Sequence, residues 1–99
     1  MTDKAKTRPF RFGEAVKTAE DARTYIDAAL EEVGPEHLKA VLRGIAESEG
    51  MTALAERAGI TRAGLYRALS DEGDPKLSTL TAVLDALGLR LTIVPKEAV

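Results

Sequence analysis

From residue 22 onward, apolar residues recur along this chain at helical spacing, and the breaks between the runs fall at glycine or proline. Ala22, Tyr25, Ile26, Ala29, Leu30 and Val33 stand at i, i+3, i+4, i+7, i+8 and i+11, which predicts an amphipathic helix over about 19–33. Thr18, with Asp21 three residues on, resembles a capping box at its start, and Gly34 ends it. Pro35 suits the first turn of a second helix, in which Leu38, Val41, Leu42, Ile45 and Ala46 repeat the pattern to about residue 48. After Gly50 come three shorter helices. Residues 52–58 place Leu54, Ala55 and Ala58 inward, Thr61 caps a helix over 62–69, and "SDEGDP" at 70–75 is a loop. The last helix, about 77–87, buries Leu77, Leu80, Val83, Leu84 and Leu87, with Gly88 just past its end. "LRLTIV" at 89–94 alternates with period two and reads as a terminal strand stopped by Pro95. Residues 1–8 are polar and aperiodic, and "PFRF" at 9–12 reads as a short extended segment. The expected organisation is a flexible basic tail over 1–12 and a single domain over 13–99.

The middle of the chain has the spacing that two closely packed helices with a sharp turn require. Ala55 is small enough for one helix to approach the other, and Gly59 suits a turn with φ > 0. Ile60 plugs the space between the helices, and Leu65 and Leu69 hold the second one down. This is the pattern of a helix-turn-helix, within a core of about residues 50–88, although small helical bundles produce similar patterns. At about 100° per residue, Leu65 and Leu69 lie within about 40° of each other. Arg62, Ala63, Tyr66 and Arg67 spread over about 140° away from them. Arg62 suits a bidentate contact to guanine or a phosphate clamp, and Arg67 a phosphate contact. Ala63 and Gly64 are small enough to let the backbone approach a groove wall. The plainer alternative is a solvated outer face, with the Tyr66 ring packed on the preceding helix.

Composition narrows the function classes. The chain has 99 residues, 44% of them hydrophobic and 30% charged, as expected of one globular domain. There is no apolar run near eighteen residues and no hydrophobic stretch after Met1, so no membrane span or secretory signal is expected, and a cytoplasmic location fits. Zero cysteines remove disulfides and thiolate chemistry, and one histidine cannot build a metal cluster, so no cofactor is expected. The net charge of −2 conceals a division along the chain. Residues 1–12 are +3, residues 13–37 are −5 and residues 51–70 are +2, which suits two different partners. Catalysis has no support. His37 stands beside Glu36 at a helix start, Ser48, Ser70 and Ser78 have no base in register, and Glu31 and Glu32 face different ways.

With these elements assembled, "GMTALAERAGITRAGLYRALSDEGDPKLSTLTAVLDALGLRLTIV" resembles the Cro/CI-type, Xre-like helix-turn-helix proteins. More narrowly it resembles the HigA-type addiction-module antidotes, through "GM", "GITRAGLYRALS", "GDP" and "ALGLRL" over about 50–91. "AEDARTYIDAALEE" and "LKAVLRGIAESEGM" resemble the two leading helices and extend the likeness to about 19–94. The resemblance implies an all-α, five-helix, lambda-repressor-like domain with a short C-terminal β-strand. It implies operator DNA bound as a homodimer, and a small RelE/ParE-like (HigB-type) toxin neutralised by an antitoxin that also represses the shared promoter. Carried over by position, the DNA-facing residues are Thr61, Arg62, Ala63, Tyr66 and Arg67, with Thr52 as a phosphate contact. The family often has a glutamine where this chain has Thr52-Ala53, and the loop acids Asp71, Glu72 and Asp74 are awkward beside phosphates.

Toxins of that kind are basic because they grip RNA. The acidic segment, with Glu20, Asp21, Asp27, Glu31 and Glu32, is therefore the candidate docking face, or else an ordinary solvated helix surface. The segment 89–94 pairs either with its copy across a two-fold axis or with Phe10–Phe12 of its own chain. Two further readings are a stand-alone Xre-like regulator and an interaction module whose helix-turn-helix binds no DNA.

Overall fold

A computed structural model of the chain describes residues 18–96. The basic tail and the expected extended segment at Pro9–Phe12 lie outside the described residues. Helix α1 spans Ala19–Val33, α2 Leu38–Glu49, α3 Met51–Ala58, α4 Arg62–Leu69 and α5 Leu77–Ala86. Thr18 starts α1 as expected, its Oγ1 accepting the Asp21 N–H at 3.1 Å. The second helix begins later than its sequence pattern implies. Pro35–His37 form one 3₁₀ turn, closed by the His37 N–H to the Gly34 carbonyl at 3.0 Å. His37 then departs from helical geometry at φ −99°, ψ 15°, so the α-helix proper starts at Leu38.

Helix α3 occupies the centre, packing against α2, α4 and α5, while α1 lies outside against α2 and the 3₁₀ turn. Leu42, Leu54, Leu65, Leu69, Val83 and Leu87 are the largest fully buried side chains. Each is worth about 1.5–3 kcal/mol relative to exposure, so the core is built mainly from α2–α5. From α1, only Ala22 and Ile26 are fully buried.

Three sequence expectations fail at the edges of this core. Tyr25 and Val33 belong to the apolar register of α1 but are 45% and 47% exposed. Among the described elements α1 packs mainly against α2 and the 3₁₀ turn, which leave Tyr25 and Val33 half open. Leu77, expected in the core, is exposed in the first turn of α5.

The terminal strand is absent, and no described residue lies in a strand. A Schellman closure ends α5 instead. Gly88, at φ 81°, donates its N–H to the Asp85 carbonyl at 2.9 Å, and Leu89 donates to the Leu84 carbonyl at 2.8 Å. Leu89 thereby folds back onto the core, whereas Leu91, Ile93 and Val94 are exposed. Alternation gives a strand two faces but no partner, and among the described residues 89–94 finds none.

Candidate nucleic-acid interface

The turn between α3 and α4 is dictated by the residues that make it. Gly59 is in the left-handed region at φ 76°, ψ 27°. Its N–H donates to the Glu56 carbonyl at 3.2 Å, and the Ile60 N–H donates to the Ala55 carbonyl at 3.0 Å. This is again a Schellman closure, and Ile60 supplies its apolar contact by packing against the core. A Cβ at Gly59 would meet nothing within 4 Å, so backbone conformation alone calls for glycine here. Ala55 is 1% exposed, as expected for the small residue where α3 meets α4.

Thr61 then caps α4, its Oγ1 accepting the Gly64 N–H at 2.9 Å. That contact gives Gly64 a role other than the close groove approach its size suggests. A Cβ on Gly64 would lie 2.9 Å from the Thr61 hydroxyl, so the glycine makes room for the cap. With Leu65 and Leu69 buried, Arg62, Ala63, Tyr66 and Arg67 are left exposed together on the outer side of α4. Tyr66 is 56% exposed, so its ring is not tucked away against α3. Thr61 and Thr52 are exposed as well. Thr52 stands in the first turn of α3, whose N-cap Gly50 offers no side-chain acceptor, so the leading N–H groups there stay uncapped.

Behind this face lies a set of contacts that the sequence pattern does not predict. On α2, Arg43 Nη1 donates to the Leu69 carbonyl at 3.2 Å and to Asp71 Oδ1 at 3.1 Å. One turn earlier, Lys39 Nζ donates to the Gly73 carbonyl at 2.6 Å and to the Asp71 carbonyl at 3.0 Å. Ser70 Oγ donates to the Arg67 carbonyl at 2.8 Å. The last carbonyls of α4 and of the turn after it thus have donors from α2 and Ser70. Gly73 fits against this end so closely that a Cβ there would overlap the Arg67 and Ala68 carbonyl oxygens. The only trace of this in the sequence is the i, i+4 spacing of Lys39 and Arg43, which marks a shared helix face and no partner. The acids of the loop are therefore not all loose. Asp71 is paired with Arg43, while Glu72 and Asp74 line a hollow that Arg67 and Lys76 also border.

No group of three or more His, Cys, Asp or Glu side chains among the described residues is placed to hold a metal ion. His37 Nε2 lies 3.7 Å from Glu36 Oε2, and no described serine is hydrogen-bonded to it. No described helix is long and apolar enough to cross a membrane.

Comparison with known proteins identifies the family. Residues 6–95 match the model of a family described as "probable addiction module antidote protein". The chain belongs to that antidote family. A Haemophilus influenzae protein named only "uncharacterized protein" is 34% identical over 93 residues, covering 94% of each chain. No solved structure matches.

An antidote has a toxin for a partner, which directs attention to the acidic residues. All five predicted positions lie on α1, but they do not form one face. Glu20, Asp27 and Glu31 run along the outermost stripe at i, i+7 and i+11, whereas Asp21 and Glu32 flank Tyr25. Arg23 occupies the middle of the outer stripe, 2.9 Å from Glu20 Oε2 and 3.7 Å from Asp27 Oδ2. Exposed pairs of this kind contribute about 0–1 kcal/mol, but they do reduce the free charge. Asp21 is half-buried, while Glu31 and Glu32 are exposed and make no ion pair with any described residue.

Proposed function

We propose that this antidote is the DNA-binding antitoxin of a type II toxin–antitoxin module, of the HigA type within the Xre/Cro-CI-like proteins. It binds a RelE/ParE-like toxin and represses the promoter they share, acting by binding rather than by catalysis, in the cytoplasm. The observation that carries this reading is the outer side of α4. Arg62, Ala63, Tyr66 and Arg67 are exposed together on a helix capped at Thr61 and fixed from behind by Arg43. Small Ala63 next to two arginines and a tyrosine allows close approach to a groove, with cations for bases and phosphates. Thr52 and the uncapped N–H groups of α3 add a second phosphate site.

The operator is bound by a homodimer, which should set its two α4 helices about 34 Å apart, one turn of DNA. Exposed Leu91, Ile93 and Val94, with no strand partner among the described residues, supply a surface for that contact.

The net charge of −2 and the acids beside Arg67 favour a second reading, in which the helix-turn-helix is structural and only proteins are bound. A salt titration with the chain's own promoter fragment separates the two. Phosphate contacts make log K fall linearly with log salt, by about 0.9 per phosphate neutralised. Failure of a folded dimer to bind that fragment at low salt would overturn the DNA-binding reading.

A further inference from the structure

We infer that the flank of α1 carrying Tyr25, Ala29 and Val33, with Glu32 and Glu36 at its end, is a docking surface for a cationic segment of a protein partner. The inference rests on the antitoxin reading and names the place and chemistry of the contact.

Two independent features of α1 lead there. The first is apolar. Tyr25, Ala29 and Val33 descend the helix in four-residue steps, and Glu32 stands beside them. Tyr25 and Val33 are about half exposed, and the Tyr25 hydroxyl makes no hydrogen bond to any described residue. A half-open tyrosine two turns from a half-open valine is a ready anchor, since tyrosine is prominent among residues that dominate interfaces.

The second feature is charge. The last turn of α1 holds Glu31 and Glu32 and no basic residue. Its backbone dipole already makes that end negative, so carboxylates there are placed unfavourably in the free chain. Glu36 adds to them, its carboxylate lying 2.7–2.9 Å from where a Cβ on Gly34 would stand, at the residue that ends α1. The His37 ring lies 3.7 Å from Glu36 Oε2, and Arg23 is engaged with Glu20 and Asp27 farther back. Among the described residues no lysine or arginine pairs with this helix end or its carboxylates, and a partner bearing arginines around an apolar side chain would supply the missing charge. The outer stripe of Glu20, Arg23 and Asp27 has its charges paired within the helix and is not the centre of this surface.

The test uses the full chain and the purified RelE/ParE-like toxin that the proposed function assigns to it, titrated against variants whose helicity is checked by circular dichroism. Tyr25→Ala, and Glu32→Lys combined with Glu36→Lys, should each weaken binding about ten-fold or more. Glu20→Lys combined with Asp27→Lys should change it by less than about three-fold. Unchanged affinity in the first two variants, with the unaltered chain binding, overturns this surface and leaves the antitoxin reading standing. Equal loss from Glu20→Lys with Asp27→Lys overturns the placement in favour of the whole acidic helix. If light scattering shows the first two variants splitting a homodimer while toxin affinity holds, the occupant is a second copy and the inference fails. No toxin binding by the unaltered chain overturns both readings.

Discussion

The guanidinium of Arg43 reaches the Leu69 carbonyl and the Asp71 carboxylate at 3.2 and 3.1 Å, so one side chain on α2 fixes where α4 ends. The two bonds should differ in weight. The Arg43 side chain is 27% exposed, whereas that of Asp71 is 89% exposed. A charged donor to a carbonyl loses less to solvent than an ion pair with an open carboxylate. Arg43→Ala should therefore destabilise the domain by about 1–2 kcal/mol in urea titrations, while Asp71→Ala should cost under about 0.5 kcal/mol. Equal losses would mean that the ion pair, not the carbonyl contact, holds the end of α4.

Gly59 offers a separation of backbone from space. With nothing within 4 Å of a built Cβ, Gly59→Ala incurs only the left-handed penalty of about 1–2 kcal/mol. Gly59→Asn should recover part of that loss, because asparagine tolerates this region better. Thermal unfolding of the three chains checks the order Gly, Asn, Ala.

At Ala55 the constraint is the reverse. The residue is 1% exposed on α3, which packs against α2, α4 and α5, so Ala55→Leu should push α3 off a neighbouring helix and cost about 1–3 kcal/mol. DNA binding should fall more than stability accounts for, since α4 would move relative to α3. A variant that binds as tightly as the unaltered chain would show that the approach of α3 to α4 does not set the reading geometry.

On the exposed side of α4, the two arginines should behave differently. Arg62→Ala should relax sequence preference at one position by about 1–3 kcal/mol, and Arg67→Ala should weaken all sequences alike and lower the salt slope by about one. Binding measured on a panel of single-base operator variants at several salt concentrations distinguishes them.

The interior and the turns are more legible in the sequence than the boundaries of the core or the contacts behind the site. Helical spacing locates α1 to α5, and the Ala55, Gly59, Ile60 pattern locates the turn, because each records a local requirement of backbone or packing. Tyr25, Val33 and Leu77 are misplaced by periodicity because it gives the direction of an apolar face without saying whether a neighbour covers it. The alternation at 89–94 misleads for a similar reason, with Gly88 and Leu89 closing α5 rather than opening a strand. The grip of Lys39 and Arg43 on the loop spans more than twenty residues of sequence, and its acceptors are mostly backbone carbonyls, which every residue has. The exposed residues of α4 can be proposed from the sequence, but not the reason that Gly64 stands among them.

The outlying position of α1 bears on how long the chain survives. With only Ala22 and Ile26 fully buried, this helix should detach at lower cost than α3 or α4, and its amides should exchange first with solvent deuterium. A protease needs such an opening, and a ligand that covers α1 closes it by mass action without touching the leucine core. The lifetime of the antidote would then be set by its partner's concentration, through the helix that the fold itself secures least.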